Sequence, residues 1–399
     1  MAGTRQLEPA YLIDAVRSPM GRGKPGGALS DVHPVELLAQ VLVSLVDRTG
    51  IDPGRLDDVI VGCVGQVGEQ SATPGRQAVL AAGFPAHVPA VTIDRKCGSS
   101  QQALDFAVQG VESGRYDLVL AGGIESMSRV PMGTPRLDKD PFGPSVTARY
   151  APGLVPQGIS AELIAAKWGL SRAELDALAL ESHRRAAAAA ASGAFAREIV
   201  PIRTPAGAVV EADETIRPDT TPEALAGLKP AFATEQWYER FPDLEFKITA
   251  GNSSQLTDGA SAILVASERV ARELALTPWA RLVSTAVCGD DPILMLTGPI
   301  PATRMALERA ELSLDEIDAF EVNEAFASVP LAWNAELPVP PGRLNPRGGA
   351  IALGHPLGAS GCRLMTTILH TLESTGGRYG LQTMCEAGGM ANAMIVERL

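Results

Sequence analysis

Apolar residues recur at three- and four-residue intervals over about 35–49, 98–113, 301–311 and 359–374, the spacing of amphipathic helices. Shorter apolar or alternating runs at 56–62, 262–266, 317–323 and 381–384 read as strands. The pattern repeats at an offset of 261 residues. Residues 56–62 fall on 317–323, each after a helix and each with an early Asp. Cys97-Gly98-Ser99-Ser100 falls on Gly358-Ala359-Ser360-Gly361, a small-residue turn that opens a helix in both copies. Glu112-Ser113 falls on Glu373-Ser374. After two extra residues Arg115-Tyr116 meets Arg378-Tyr379, 117–123 meets 380–386, and Met127 meets Met390. This register predicts two related α/β halves with mixed, mostly parallel sheets and helices packed on them.

The first half is interrupted. Residues 126–248 have no counterpart and begin with a Pro/Gly-rich stretch from Pro131 to Pro156. Two helices are predicted beyond it. One spans 161–168 behind Ser160; the other spans 172–193 behind Ser171, with Glu174 completing a capping box. The alanine run at 186–191 suits a helix interior. The chain therefore divides into an N-terminal half at 1–125, an inserted loop domain at 126–248, a return to the first half at 249–272 and a C-terminal half at 273–399. Long insertions in such scaffolds commonly carry substrate contacts.

Composition narrows the function. The 399 residues are 46% apolar and 20% charged, enough for a sizeable core and two or three domains. A net charge of −12 with no Lys/Arg block argues against nucleic-acid or anionic-membrane partners, while a local basic pocket for one anionic ligand stays open. No run is long enough for an apolar membrane span, and no secretory signal or C-terminal address is legible, so a cytoplasmic location is expected. Five cysteines (Cys63, Cys97, Cys288, Cys362 and Cys385) are odd in number and widely spaced, with no Cys-x-x-Cys pair. They predict neither a disulfide framework nor a zinc site, and no metal is expected. Phosphate-loop and dinucleotide fingerprints are absent.

Four residues stand where chemistry is possible. Cys97 sits at a strand-to-helix junction behind Arg95 and Lys96; it is either a core cysteine or a thiol made acidic by those cations and the helix N-terminus. His355 lies in a loop crowded with Gly and Ala and stands three residues before the repeat-equivalent of Cys97. It is a structural histidine, or, if the halves pack about a pseudo-twofold, it shares a cleft with Cys97 from the opposite half. Cys385 ends a strand ahead of Glu386-Ala387-Gly388-Gly389; it packs the core or acts as proton donor and acceptor. Asn323 ends another strand, as a helix cap or as an amide that holds water or polarises a carbonyl. Cys63, Cys288 and Cys362 are expected in packing roles, and His33, His87, His183 and His370 at the surface or in caps.

Taken together, Cys97-Gly98-Ser99-Ser100, Asn323-Glu324-Ala325-Phe326, Gly354-His355-Pro356 and Cys385 with its following glycines resemble the thiolase family in order and spacing, over almost the whole chain. The resemblance implies a five-layered αβαβα core from two related halves with an inserted loop domain. It implies a 3-ketoacyl-CoA thiolase in which Cys97 carries the acyl group and His355 is its general base. His355 and a water held by Asn323 would bind the enolate oxygen. The backbone N–H groups of Cys97 and Ala387 would bind the acyl-enzyme oxyanion, and Cys385 would protonate the enolate and then deprotonate CoA. Coenzyme A would be a cosubstrate, with no tightly bound cofactor, against Arg217, Phe232, Ala250, Ser254 and Ala325. A homodimer or homotetramer follows from the same resemblance.

The chain departs from the family at Ala387, where glycine is common, at Pro156-Gln157, where a histidine is often found before Gly158, and at Gln255, where glycine often follows the serine. The last two bear on chain length. Ser99-Ser100-Gln101-Gln102 looks more like degradative thiolases, including fatty-acid and steroid side-chain types, than like acetoacetyl-specific ones. The alternatives are an acetyl-CoA acetyltransferase, a ketosynthase-type condensing enzyme (against which Cys385 speaks) and a non-catalytic acyl-CoA or sterol binder.

Overall fold

In the computed structural model, which describes residues 8–399, the two predicted halves follow one strand path twice. The first seven residues, assigned above to the N-terminal half, lie outside the described residues. The first half contains β1 (Ala10–Arg17), β2 (Gly21–Arg22), α1 (Pro34–Thr49), β3 (Asp58–Gly62), α2 (Pro74–Ala81), β4 (Val91–Ile93), α3 (Ser99–Glu112) and β5 (Leu118–Ser126). An excursion follows through α4 (Gly143–Arg149), α5 (Gln157–Lys167), α6 (Arg172–Ala191), β6 (Ile202–Arg203), β7 (Val209–Val210), α7 (Pro222–Ala226) and α8 (Glu235–Arg240). The chain returns as β8 (Thr257–Ser267) and α9 (Glu268–Glu273). The second half holds β9 (Ala280–Gly289), α10 (Pro299–Ala310), β10 (Ala319–Val322), α11 (Ser328–Glu336), α12 (Ala350–Leu353), α13 (Ser360–Thr375), β11 (Tyr379–Glu386) and β12 (Met390–Arg398).

The first sheet runs β1-β8-β5-β3-β4 and the second β9-β12-β11-β10; a single residue pair, Leu12 with Ala280, joins them. β8 is antiparallel to both β1 and β5, and β12 to both β9 and β11. Parallel pairing is confined to β3 with β4 and β5, and β10 with β11. The sheets are therefore mixed, not mostly parallel. In each half the last strand runs back through the middle of the sheet, β12 by a tight turn at 387–389 and β8 after the long excursion.

Alternation along the strands sorts the core into layers. Val59, Val61, Leu118 and Leu120 face α1 and α2 on the outside of the first sheet. Ile60, Val119 and Ala121 face inward onto α3 and α13, which also cover Ala319, Met394 and Val396 of the second sheet. Phe320, Val322 and Leu381 face outward onto α10 and α11. The order is αβαβα. Each such side chain contributes about 1.5–3 kcal/mol by leaving water. α13 is buried continuously from Ser360 to Leu372 because it lies between two sheets. It meets α3 at the first turns of both: Cys362 N–H donates to Ser100 Oγ at 3.0 Å, and a Cβ at Gly361 would lie 2.1 Å from Gln101 N. That contact sets the two helix N-termini side by side.

The capping box of Ser171 and Glu174 is present. Ser160 is not a cap: α5 begins at Gln157, and Ser160 Oγ donates instead to Ile293 O at 2.7 Å. A polar hydroxyl ahead of an apolar run imitates a cap when the helix has already begun one turn earlier.

Candidate active site

Cys97 closes the turn from β4 into α3. Lys96 before it is held at φ 48°, a left-handed conformation costly for a residue with a Cβ. Asp94 holds it there, accepting from Lys96 N–H and Nζ, each at 2.6 Å. The thiol is buried beside Leu364 of α13 and Met384 of β11. The Gln157 side chain and the backbone N–H groups of Cys97 and Ala387 hydrogen-bond its sulfur. Of the two readings of this thiol, the acidified one is not favoured by its surroundings. Burial, and then the nearby Glu386 carboxyl, push it up to about 12, while those three hydrogen bonds pull it down. The upstream cations do not help: Lys96 is spent on Asp94, and the Arg95 charge acts on Glu386.

His355 follows α12. Its N–H is shared between Gln255 O at 3.1 Å and Thr257 Oγ1 at 3.0 Å. Nδ1 lies 2.6 Å from Ser360 Oγ, which donates its own proton to Pro356 O at 2.8 Å. A hydroxyl that has given its proton away can only accept. Nδ1 therefore carries the hydrogen, and Nε2 keeps its lone pair. That lone pair receives Asn323 Nδ2–H at 3.3 Å. Burial, and then Arg363, lower the imidazole to about 3, so it is neutral at physiological pH.

Asn323 stands just past β10, its N–H donating to Thr383 O at 3.0 Å and its Oδ1 buried without a partner. Because α11 begins only at Ser328, Asn323 is not its cap. Cys385, at the end of β11, is fully buried and held well above the ordinary thiol range by burial and then by Cys97. The structure thus brings Asn323 against His355, and Cys385 within electrostatic reach of Cys97. These two pairs offer two protonated thiols, one neutral imidazole and two N–H groups aimed at a sulfur. They enter a reaction uncharged, with the proton leaving Cys97 as the sulfur forms its bond.

Buried carboxylates shape the loops around it. Glu324 accepts from Ser182 Oγ (2.6 Å), Asn345 Nδ2 (2.9 Å) and Ile351 N–H (3.2 Å), bracing the approach to His355. Glu125 accepts from the N–H groups of Val64, Gly65 and Gly358, tying the halves together at 2.9–3.0 Å.

The residues expected to hold coenzyme A form one partial wall. Ser254 N–H donates to Ala325 O at 3.0 Å. Phe232 meets Phe326 edge-on at 6.1 Å. Arg217 is exposed and donates to Gln255 Oε1 at 3.3 Å. Ala250 is exposed in the same loop as Ser254. A cleft of about 990 Å³ lies elsewhere, between α6 and the end of α13, and none of the candidate site residues lines it.

Sequence reasoning missed Gln157 as a partner of Cys97 and Ser360 as the acceptor for His355. The repeat held a signal for Ser360: its counterpart Ser99 donates to Lys96 O at 2.6 Å in the same way. His183 and His370 are buried, not at the surface; His183 Nδ1 accepts from Arg217 N–H at 3.1 Å. Among the described residues no group of three His, Cys, Asp or Glu is placed to hold a metal, and no helix is long and apolar enough to cross a membrane.

Comparison with known proteins places this geometry in context. The chain matches the family model for the thiolase N-terminal domain over residues 10–269 and that for the thiolase C-terminal domain over 276–398. It is 47% identical to a steroid 3-ketoacyl-CoA thiolase, FadA6, of Mycobacterium tuberculosis, over 98% of this chain and 95% of the relative. It is 44% identical to a 3-ketoacyl-CoA thiolase of Escherichia fergusonii, over 98% of this chain and 100% of the relative. The crystal structure of the Bacillus anthracis acetyl-CoA acetyltransferase superposes with a TM-score of 0.87 at 37% identity, covering 99% of this chain and 100% of that one.

Proposed function

The chain belongs to the thiolase family of acyltransferases, and from that premise we propose that it cleaves 3-ketoacyl-CoA with coenzyme A, releasing acetyl-CoA and a shortened acyl-CoA. The observations that carry this reading are two buried thiols, one from each half and within electrostatic reach of each other, and a neutral imidazole whose Nε2 faces Asn323.

Cys97 attacks C3 of the ketoacyl group while His355 Nε2 takes the thiol proton. The C2–C3 bond breaks, leaving the acyl group on Cys97 and the enolate of acetyl-CoA. The new Nε2–H of His355 and a water held by Asn323 stabilise the enolate oxygen. Cys385 protonates the enolate carbon and becomes a thiolate. It then takes the proton of an incoming CoA thiol, whose sulfur attacks the acyl-cysteine. The N–H groups of Cys97 and Ala387 bind the oxyanion that forms. Collapse releases acyl-CoA, and Cys97 recovers its proton from His355. The exposed guanidinium of Arg217 offers the cation an anionic CoA moiety needs on an acidic protein, with Phe232, Ala250, Ser254 and Ala325 along the pantetheine arm.

The reading is tested by thiolysis rates with acetoacetyl-CoA, a ketoacyl-CoA of eight carbons or more and a steroid-derived CoA ester. Turnover of the longer substrates is expected. A rate confined to the four-carbon substrate favours the acetyl-CoA acetyltransferase reading, which the Bacillus anthracis neighbour supports. No thiolysis of any substrate overturns both. Cys385→Ala is expected to abolish thiolysis; full activity in that variant rejects the two-thiol mechanism. A homodimer in the cytoplasm completes the proposal, with light scattering after gel filtration as its check.

A further inference from the structure

Glu386 is the residue after Cys385, and the mechanism makes no use of it. It is fully buried at the end of β11. β12 pairs Asn392 with Met384 and Met390 with Glu386, so Glu386 and Asn392 are diagonal neighbours on one face of the hairpin. Met384, on that face, packs against Cys97. Gly98, the residue after the nucleophile, lies directly over the pair. A Cβ there would fall 2.0 Å from Glu386 Oε1 and 2.8 Å from Asn392 Nδ2. Only glycine admits this approach.

Hydrogen-bond counting in this chamber leaves a gap. Asn392 Nδ2 donates to Gly98 O at 3.3 Å. Asn392 Oδ1 and both Glu386 oxygens are buried without partners, and so is Arg95 Nε. A carboxylate could take the Arg95 Nε–H but would leave Asn392 Oδ1 facing only acceptors. A carboxylic acid supplies the one donor that Asn392 Oδ1 lacks and leaves the amide N–H on Gly98 O. We propose that Glu386 is a positioning residue for Cys97, held as a neutral acid that fixes Asn392 and, through it, the Gly98 turn behind the nucleophile.

The surroundings are consistent with this. Arg95 favours the charged form, while Asp94 opposes it, and Cys97, Cys288 and Cys385 all lie within reach of its charge. Burial is the largest influence and pushes the acid up to about 8. Above that pH an ionised Glu386 opposes the Cys97 thiolate. The inference rests on Cys97 as the nucleophile, but its test reads the thiol directly.

The experiment is iodoacetamide alkylation of Cys97, followed by peptide mapping between pH 6 and 10, on wild type and Glu386→Gln. The two profiles should coincide below about pH 7. Above about pH 8 the wild type should lag by about threefold to tenfold, the effect of a neighbouring charge worth half to one pKa unit. Glu386→Leu, which cannot donate to Asn392, should lower kcat with little change in KM, and Glu386→Gln, whose amide can donate, should recover most of it. An infrared difference spectrum of wild type minus Glu386→Gln at pH 7 should show a carboxylic-acid C=O band. Superimposable alkylation profiles, or absence of that band, overturn the proposal even if the leucine variant fails to fold. Absence of thiolysis with every substrate would instead strike the proposed function and leave the alkylation result standing.

Discussion

Ser360 fixes the tautomer of His355 by the direction of one proton. Its hydroxyl is committed to Pro356 O, so it can only accept from Nδ1, which fixes the lone pair on Nε2. Ser360→Ala removes that acceptor and frees the tautomer. We expect kcat to fall about tenfold to a hundredfold, less than the roughly 10²–10⁴-fold of a whole general base because the imidazole itself remains, with KM within about twofold. Steady-state thiolysis checks this; an unchanged kcat would show that the tautomer is set elsewhere. Gln157→Ala should raise the Cys97 pKa further, because it removes one of three donors to the sulfur. The readout is slower alkylation of Cys97 at pH 8. The positions of Cys97, His355, Cys385 and Asn323 at strand or helix ends were legible in the sequence, while their roles came from the family resemblance. Gln157 was not legible. It reaches Cys97 across 60 residues from a helix start that the decoy cap at Ser160 displaced. The charge state of the thiol was left open by the sequence, because proximity along the chain does not fix proximity in space: Lys96 is turned away onto Asp94.

At the level of elements, the site depends on how closely α3 and α13 approach. Gly361→Ala would place a methyl 2.1 Å from Gln101 N, a backbone atom that cannot swing aside. We expect about 2–3 kcal/mol of destabilisation from this overpacking, read by urea unfolding, together with reduced activity as the helix starts separate. Ser171→Ala, which removes the cap of α6 in the excursion, should cost about 1 kcal/mol in the same assay and leave the helix start contact untouched. The helices were legible from period and caps. β8 was seen only at 262–266, whereas it runs Thr257–Ser267. It is buried on both faces along its whole length, so it carries polar Thr257, Asp258 and Ser261 without the alternation that marks a half-exposed strand. Its antiparallel run through the sheet had no local signature either, because direction is decided by a connection of more than 100 residues.

Across the whole molecule, buried neutral histidines set a pH limit. His370 is buried on α13 against Trp279, and burial, with nearby arginines second, lowers it to about 3. Unfolded, it takes a proton near pH 6.5. Its contribution is therefore complete above about 6.5 and is lost as pH falls from there toward 3, at about 1.4 kcal/mol per pH unit. Urea unfolding of wild type and His370→Gln between pH 7 and 4 should show the variant losing less stability by that slope; parallel curves would place the protonation elsewhere. The repeat made the large design legible, since matching residues at one offset anticipated two halves, and the strand path β1-β8-β5-β3 recurs as β9-β12-β11-β10. That path also orders events during synthesis. β8 fills the gap between β1 and β5, so the first sheet stays open until residue 267 has left the ribosome, with β1 and β5 unable to pair. Long-range closure of this kind is slow and leaves strand edges bare. The second thiol and its strand, which starts at Tyr379, emerge more than 100 residues after β8 ends at Ser267. Until β11 arrives, the chain displays Cys97 without its partner thiol, and the bare strand edges of that interval are where contacts with other chains would begin.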